Sequence, residues 1–506
     1  MRFLKNTQII FIFLLLIGKH DGAKILGLFP NFGYSQFILG DALLSELARK
    51  GHEITVISAF KPKESLPNYR TVLLDLPQSE CNFFEPSSSN LFGEVIGFNQ
   101  LFLDVSETVL SNAVFQEFIR RSNETFDLAI VELFGSESQL AVARHFNCPL
   151  IGLSSQGLSE WNSHLLGNVR LPSLTCWSNA PFSSKMSFFE RLYHTLISFF
   201  DLAYKYFVYF PEHQRLIRKY YPGNHQLDDV VESVDLVLLN SHYSATEPSM
   251  LTTAAVEIGG FHIKPKKLPD DIQKFLDGAK DGAILFSLGT NAKSKHLPKD
   301  RVKGIVRAIG RLKQRVLWKY EDEDIQIPDN LMITKWVPQP DVLAHPNIVA
   351  FISHGGLLSG TEALYFGVPI IGIPVFADQP RNVRVWVEKG TTIHLPLKEL
   401  GESSLYSAVE EIIKNPSYKN SAKRYSELLK DRPVQPMDLA VYWVEHILRH
   451  KGGKHLRNTS KDLYWFQLYS VDILIFIFIC VYLLYYIIKS VFKLTFKKNC
   501  SKVKVN

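Results

Sequence analysis

Cysteine is scarce: the 506 residues hold five, at positions 81, 148, 176, 480 and 500. Scattered like this they give no metal-ligand spacing and no disulfide framework, although one pair among Cys81, Cys148 and Cys176 has the option of bridging. A G-x-G-x-x-G after a strand is also missing, which argues against a nucleotide-cofactor oxidoreductase. No short internal repeat occurs. Acid is absent from the tail beginning at Lys489, which carries Lys489, Lys493, Lys497, Lys498, Lys502 and Lys504. Without that tail the formal charge of +6 falls to near neutral. The basic balance therefore marks a membrane flank and gives no support to nucleic-acid binding. Charge of either sign is missing from Ile473–Ile488.

That uncharged run, extended by Val471 and preceded by Tyr464-Trp465-Phe466, has the length and aromatic border of a transmembrane helix at 471–488. The lysines of 489–506 then lie in the cytosol, and the body lies in the lumen. The terminal KVKVN places Lys502 and Lys504 like a dilysine retrieval signal of the endoplasmic reticulum. At the other end, Arg2 and Lys5 precede a short apolar core and the small residues Gly22 and Ala23, the pattern of a secretory signal peptide over 1–23. Two sequons, at Asn123 and Asn458, face the lumen and are candidate glycosylation sites.

A chain of this length predicts two domains plus accessories. Leu26–Phe29, His52–Ser58, Phe126–Val131 and Leu150–Ser154 read as buried strands. Between them lie helical patterns such as Gln36–Lys50, with Leu39, Leu43 and Leu47 on one face. A second α/β series starts at Gly282, with strands at Ala283–Leu288, Arg315–Tyr320, Leu331–Thr334, Val349–Ser353 and Pro369–Val375. The expected division is 24–264, a linker at 265–281, and 282–462. Residues 186–221 are rich in aromatics and read as amphipathic helices, which either cover the first domain or touch a membrane surface.

The richest stretch is FISHGGLLSGTEALYFGVPIIGIPVFADQ, 351–379. A strand ends at Ser353, then His354, Gly355 and Gly356 turn into a helix. Glycines let the backbone approach a ligand, and the helix N-terminus offers free N–H groups to a diphosphate without a metal. Glu362 has two oxygens for ribose hydroxyls, and Asp378-Gln379 suits sugar hydroxyls. Here the chain resembles the UDP-glycosyltransferase family, in particular its insect membrane-bound members. It matches the family signature at Phe351, Ser353, His354, Gly356, Ser359, Glu362, Pro369, Pro374, Asp378 and Gln379. KGHEITV, FDLAIVE, SLGT and KWVPQ extend the likeness over nearly the whole chain.

The resemblance implies the GT-B fold: two Rossmann-like domains facing a cleft, with a C-terminal transmembrane helix. It implies that the N-terminal domain binds a small lipophilic acceptor and the C-terminal domain a UDP-sugar. Trp336 would stack on uracil, with Gln339 beside the nucleotide. His354, the amides of Gly355 and Gly356, Ser359 and Thr290 would hold the diphosphate. Glu362 would bind ribose, and Asp378 and Gln379 the hexose. The partners implied are donor, acceptor and lipid bilayer, with no metal or other cofactor; self-association is left open. Where relatives often carry Pro-basic-Pro, this chain has Pro248-Ser249-Met250, which leans towards a neutral hexose such as glucose.

One departure concerns catalysis. The family's base, a His after the first strand, is replaced by Gln36, and the partner carboxylate corresponds to Glu132. Glutamine neither takes up nor releases a proton at neutral pH. Three readings follow. Gln36 orients the acceptor while Glu132 or water takes the proton; the acceptor is a phenol, acid or amine that needs less help; or the chain is a catalytically weak binder of UDP-sugar and lipophile.

Overall fold

The computed structural model describes residues 22–502 except 32, 77–83, 85–89, 122, 291 and 323–324. Most of the signal peptide, Cys81 and the end of the lysine tail lie outside these. The first sheet joins β1 (Lys24–Phe29), β2 (Glu53–Ser58), β3 (Tyr69–Leu73), β4 (Leu128–Glu132), β5 (Leu150–Ser154), β6 (Val234–Leu239) and β7 (Ala255–Glu257) in the order β3-β2-β1-β4-β5-β6-β7. The second joins β8 (Ala283–Ser287), β9 (Arg315–Lys319), β10 (Leu331–Thr334), β11 (Ile348–Ser353), β12 (Ile370–Gly372) and β13 (Thr392–His394) as β10-β9-β8-β11-β12-β13. The described pairings are all parallel. Central strands such as β4, β5 and β8 are buried along their length, which is why they read as unbroken apolar runs.

Both sheets reverse their strand order once, between β1 and β4 and between β8 and β11. Ligands bind open parallel sheets at that reversal, beyond the carboxyl ends of the strands. Two such crevices face one cleft, the GT-B arrangement. Helix α1 (Tyr34–Arg49) follows β1. Helix α2 (Phe188–Tyr204) lies in the aromatic stretch, and α3 (Asp270–Asp277) precedes β8. Helix α4 (Leu357–Tyr365) follows β11, and α5 (Gln379–Glu388) follows β12.

Two boundaries differ from the sequence expectation. The proposed linker is mostly part of the second domain, because Leu268, Ile272, Leu276 and Ala279 pack into its core. Helix α6 (Pro436–His450), expected in the second domain, returns to the first: Met437, Ala440, Val441, Val444 and Ile447 join the core around β1 and α1. The apolar periodicity of α6 marked a helix but carried no address. Helix α7 (Val471–Lys502) holds one candidate span, Val471–Leu494, of 24 residues and mean hydropathy 2.6, with none of it buried. It is long and apolar enough to cross a bilayer and runs past the expected 488. Cys148 and Cys176 are free thiols, and no disulfide occurs among the described residues. Asn123 is exposed; Asn458 is half-buried, with its Oδ1 accepting from the Ser460 amide.

Candidate functional site

A cleft of about 630 Å³ lies between the carboxyl ends of the two sheets. From the second domain, Thr290, Trp336, Gln339, His354, Gly356, Ser359, Glu362, Asp378 and Gln379 line it; from the first, Tyr34, Ser35, Gln36, Phe134 and Gln156 do. Residues dispersed over ninety positions of the second domain thus converge on one wall.

The wall is built from its turns. β11 delivers His354, and the glycines around it are required by close approach: a Cβ on Gly289 or Gly356 would meet the imidazole at 2.7 or 2.6 Å. Gly289 also holds a φ of +88°, and Gly355 one of +86°. Burial, with the nearby Lys319 ammonium, pushes the His354 imidazole down to about 4, so it is neutral near pH 7. Its Nδ1 is buried without a hydrogen-bond partner. Directly after it Gly356 starts α4, whose first amides have no acceptor within the helix. A neutral ring and a positive helix end suit an anion at this point.

One turn along α4, Glu362 is buried and held at both oxygens. Gln339 donates from Nε2 at 2.6 Å, and Nε2 of His262 lies 3.1 Å away. Gln339 also reaches Ser359 Oγ at 3.0 Å. His262 was missed in the sequence; it follows β7 and crosses to the second domain, and nothing in FHI marks it. Lys319, at the end of β9, was missed too. Its Nζ donates to the Gly289 carbonyl at 2.7 Å and to Glu321 at 2.9 Å, bracing the turn that carries Thr290. Trp336 lines the cleft and is 47% exposed, its ring centre 5.5 Å from that of Tyr34 with the two rings at 74°. Read alone from sequence it resembles a core residue, so the exposure is informative.

Asp378 precedes α5, takes a hydrogen bond from Asn382 Nδ2 at 2.7 Å, and has its carboxyl raised by burial. Gln379 spends its carbonyl oxygen on the amides of Val375 and Phe376, at 2.8 and 3.1 Å. Its NH₂ group remains for a ligand. The nearby Arg381 guanidinium is paired with Glu247 at 3.0 Å.

The first-domain side differs from a base dyad. Gln36 lines the cleft in the first turn of α1, with its Oε1 folded over Gly33: a Cβ there would sit 2.2 Å away. Glu132 does not line the cleft. It is 2% exposed, and no hydrogen bond joins it to Gln36. Its neighbour is the buried Asn31, yet neither the Asn31 amide nor either Glu132 oxygen has a partner in hydrogen-bond geometry. Burial pushes the Glu132 carboxyl up to about 8, with Asn31 pulling weakly the other way.

That shift predicts a stability effect. Glu132 in the folded chain keeps its proton up to about pH 8, whereas an unfolded one loses it near 4.5. The protonated form's contribution is full below 4.5 and is lost as pH rises through 8, a change on the order of 5 kcal/mol. Glu132→Gln removes the titration. Its melting temperature should change less between pH 5 and 8 than that of the parent, with the largest gain at pH 8. Parallel curves for the two proteins would count against it.

Two facing Rossmann-like domains, a helix N-terminus at the cleft in one of them and a cleft wall bearing Trp, Glu and Asp-Gln are the features of a GT-B glycosyltransferase. The solved structures agree on the fold. The glycosyltransferase VinC in complex with dTDP matches at a TM-score of 0.59 and 15% identity, over 84% of this chain and 100% of that one. CalG4, the calicheamicin glycosyltransferase, matches at 0.55 and 19%, over 85% and 99%. The family model "UDP-glucoronosyl and UDP-glucosyl transferase" matches residues 26–505, and the chain belongs to that family. It is 35% identical to UDP-glucosyltransferase 2 of Dactylopius coccus, over 93% of each chain. It is 29% identical to human UDP-glucuronosyltransferase 2B7, over 88% of this chain and 89% of the relative. It is thus a UDP-dependent glycosyltransferase.

Proposed function

We propose that this enzyme transfers glucose, with inversion, from UDP-glucose to small lipophilic acceptors whose own proton is acidic, phenols foremost. The observation that carries the reading is the asymmetry of the cleft. The second-domain wall bears a full set of groups for a nucleotide sugar. The first-domain wall offers Gln36 where a proton acceptor would stand, and Glu132 is buried off the cleft lining beside Asn31, its carboxyl pushed up to about 8.

In the displacement, the acceptor oxygen attacks the anomeric carbon as the bond to the diphosphate oxygen breaks. Negative charge grows on UDP and is met by the N-terminus of α4. Gln36 accepts a hydrogen bond from the acceptor hydroxyl, or donates one to its oxygen, and so aims it. The proton leaves to water, which a phenol permits and an aliphatic alcohol resists. The reaction uses no metal ion, so a chelator should leave turnover unchanged. The pairing of Arg381 with Glu247 removes a free cation from beside Asp378, which favours a neutral hexose over a glucuronate. In this reading the enzyme sits in the endoplasmic reticulum membrane with its cleft in the lumen, which the candidate span and the lysine tail support.

The test is UDP release by the membrane-bound protein, with UDP-glucose or UDP-glucuronate, against phenols and aliphatic alcohols. Turnover of phenols with UDP-glucose supports the proposal. Binding of UDP-glucose with no release for any acceptor overturns it in favour of a catalytically weak binding homologue, the reading that Gln36 alone also allows.

A further inference from the structure

Only half of the His262 imidazole is engaged. The residue lines the cleft with a side chain 2% exposed. Its Nε2 lies 3.1 Å from Glu362 Oε1, its one side-chain hydrogen bond among the described residues. A carboxylate only accepts, so Nε2 carries the proton and donates. Nδ1 is buried with no partner. Burying an unpaired nitrogen costs stability, and an apolar side chain would fill the same space without that cost. What the ring gains in return is the bond to Glu362.

That bond joins the two domains. Phe261, its neighbour in the chain, belongs to the first-domain core, whereas Leu268 lies in the core of the second. Glu362 stands on α4 of the second domain, 3% exposed. Its other oxygen, Oε2, accepts from Gln339 Nε2 at 2.6 Å, and Gln339 opens a short helix of that same domain. Each oxygen of the carboxylate is thus gripped by one donor, and the two donors come from different domains. A carboxylate oxygen has two lone pairs, so each keeps one for a ligand in the cleft. Fixing the carboxylate beforehand removes an ordering cost that the ligand would otherwise meet.

We infer that His262 is a positioning residue of the donor site. It holds the Glu362 carboxylate from the first-domain side for two ribose hydroxyls, so the ribose seat is complete only while the domains are joined. This rests on the reading of Glu362 as the ribose acceptor. Linkage makes the effect reciprocal: UDP held by Glu362 also steadies the crossing that carries His262.

The test is calorimetric titration of the full chain, in detergent micelles, with UDP, a measurement independent of any transfer step. His262→Ala should weaken UDP binding roughly tenfold, the scale of one hydrogen bond to a charged group. His262→Gln, which returns an N–H donor, should recover most of the loss. In a Glu362→Ala background the same His262→Ala should change the affinity less than about twofold, because the two residues act as one unit. Equal affinity of the parent and His262→Ala overturns the inference. So does an undiminished loss in the Glu362→Ala background, which marks a role through the fold and not through the carboxylate. If Glu362→Ala itself leaves UDP binding unchanged, the ribose reading fails and the inference with it. The expected binding pattern without glucose transfer leaves the inference standing while the proposed function falls. The parent alone decides if a variant misfolds. The amides of Phe261 and Ile263, bonded to the Ile258 and Gly260 carbonyls, should exchange with deuterium more slowly when UDP is bound, and unchanged exchange overturns the inference.

Discussion

Replacing Gln36 by histidine should raise turnover of an aliphatic alcohol roughly 10²-fold while changing phenol turnover only a few-fold. Base catalysis contributes about 10²–10⁴. The lower end is expected because a base works best when a second group orients it, and Glu132 is poorly placed for that: it is buried, off the cleft lining, and its carboxyl is held up to about 8. A pH profile separates the parts. A histidine working alone gains activity as it loses its proton near pH 6.5. If Glu132 comes to support it, a further rise follows near pH 8, and Glu132→Gln in the same background removes that rise. Equal alcohol turnover in parent and Gln36→His would show that proton removal does not limit this enzyme, and the phenol preference would lose its basis.

The second large effect concerns Glu362. Alanine there should lower kcat/KM for UDP-glucose roughly 10²-fold, mostly through KM, because on the proposed reading the buried carboxylate accepts two hydrogen bonds from ribose hydroxyls, worth about 1.5–3 kcal/mol each and offset in part by water. Gln339 and His262 lose their shared partner as well. Glu362→Gln keeps one acceptor oxygen and should lie between, roughly tenfold down. A split readout guards against simple unfolding: UDP should protect the parent strongly against heat, and the alanine variant weakly, while their unliganded melting temperatures stay close. Equal protection by UDP would remove Glu362 from the donor site.

Much of this arrangement was legible because parallel strands buried on both faces write themselves as apolar runs. The Ser353–Gly356 turn was legible for a related reason, since only glycine tolerates its backbone and the contact with His354. The strands β3, β6, β7 and β13 were not read: β3 is half exposed at an edge, β7 and β13 span three residues each, and β6 went unread although VDLVLL is a largely buried apolar run. Nor does sequence say which face a buried carboxylate turns to. Glu132 ends its strand as expected, and only packing shows that it meets Asn31 and not Gln36. His262 and Lys319 act across gaps of 100 and 30 residues, towards Glu362 and Gly289, and such contacts leave no local pattern.

The return of α6 to the first domain has a mechanical consequence. The chain enters the second domain near Gly259–Leu268 and leaves it near Arg432–Met437, and these crossings touch: Arg432 Nη2 donates to the Gly259 carbonyl at 2.8 Å. A body held by two adjacent straps turns about the line through them and has little freedom to twist or slide. The segment leading to α7 is anchored to the first domain, with Lys461 Nζ on the Leu165 carbonyl at 2.9 Å and Ser460 on Gly167. The first-domain wall of the cleft is therefore the part tied directly to the foot of the span, and the second domain joins it through two neighbouring crossings of the chain.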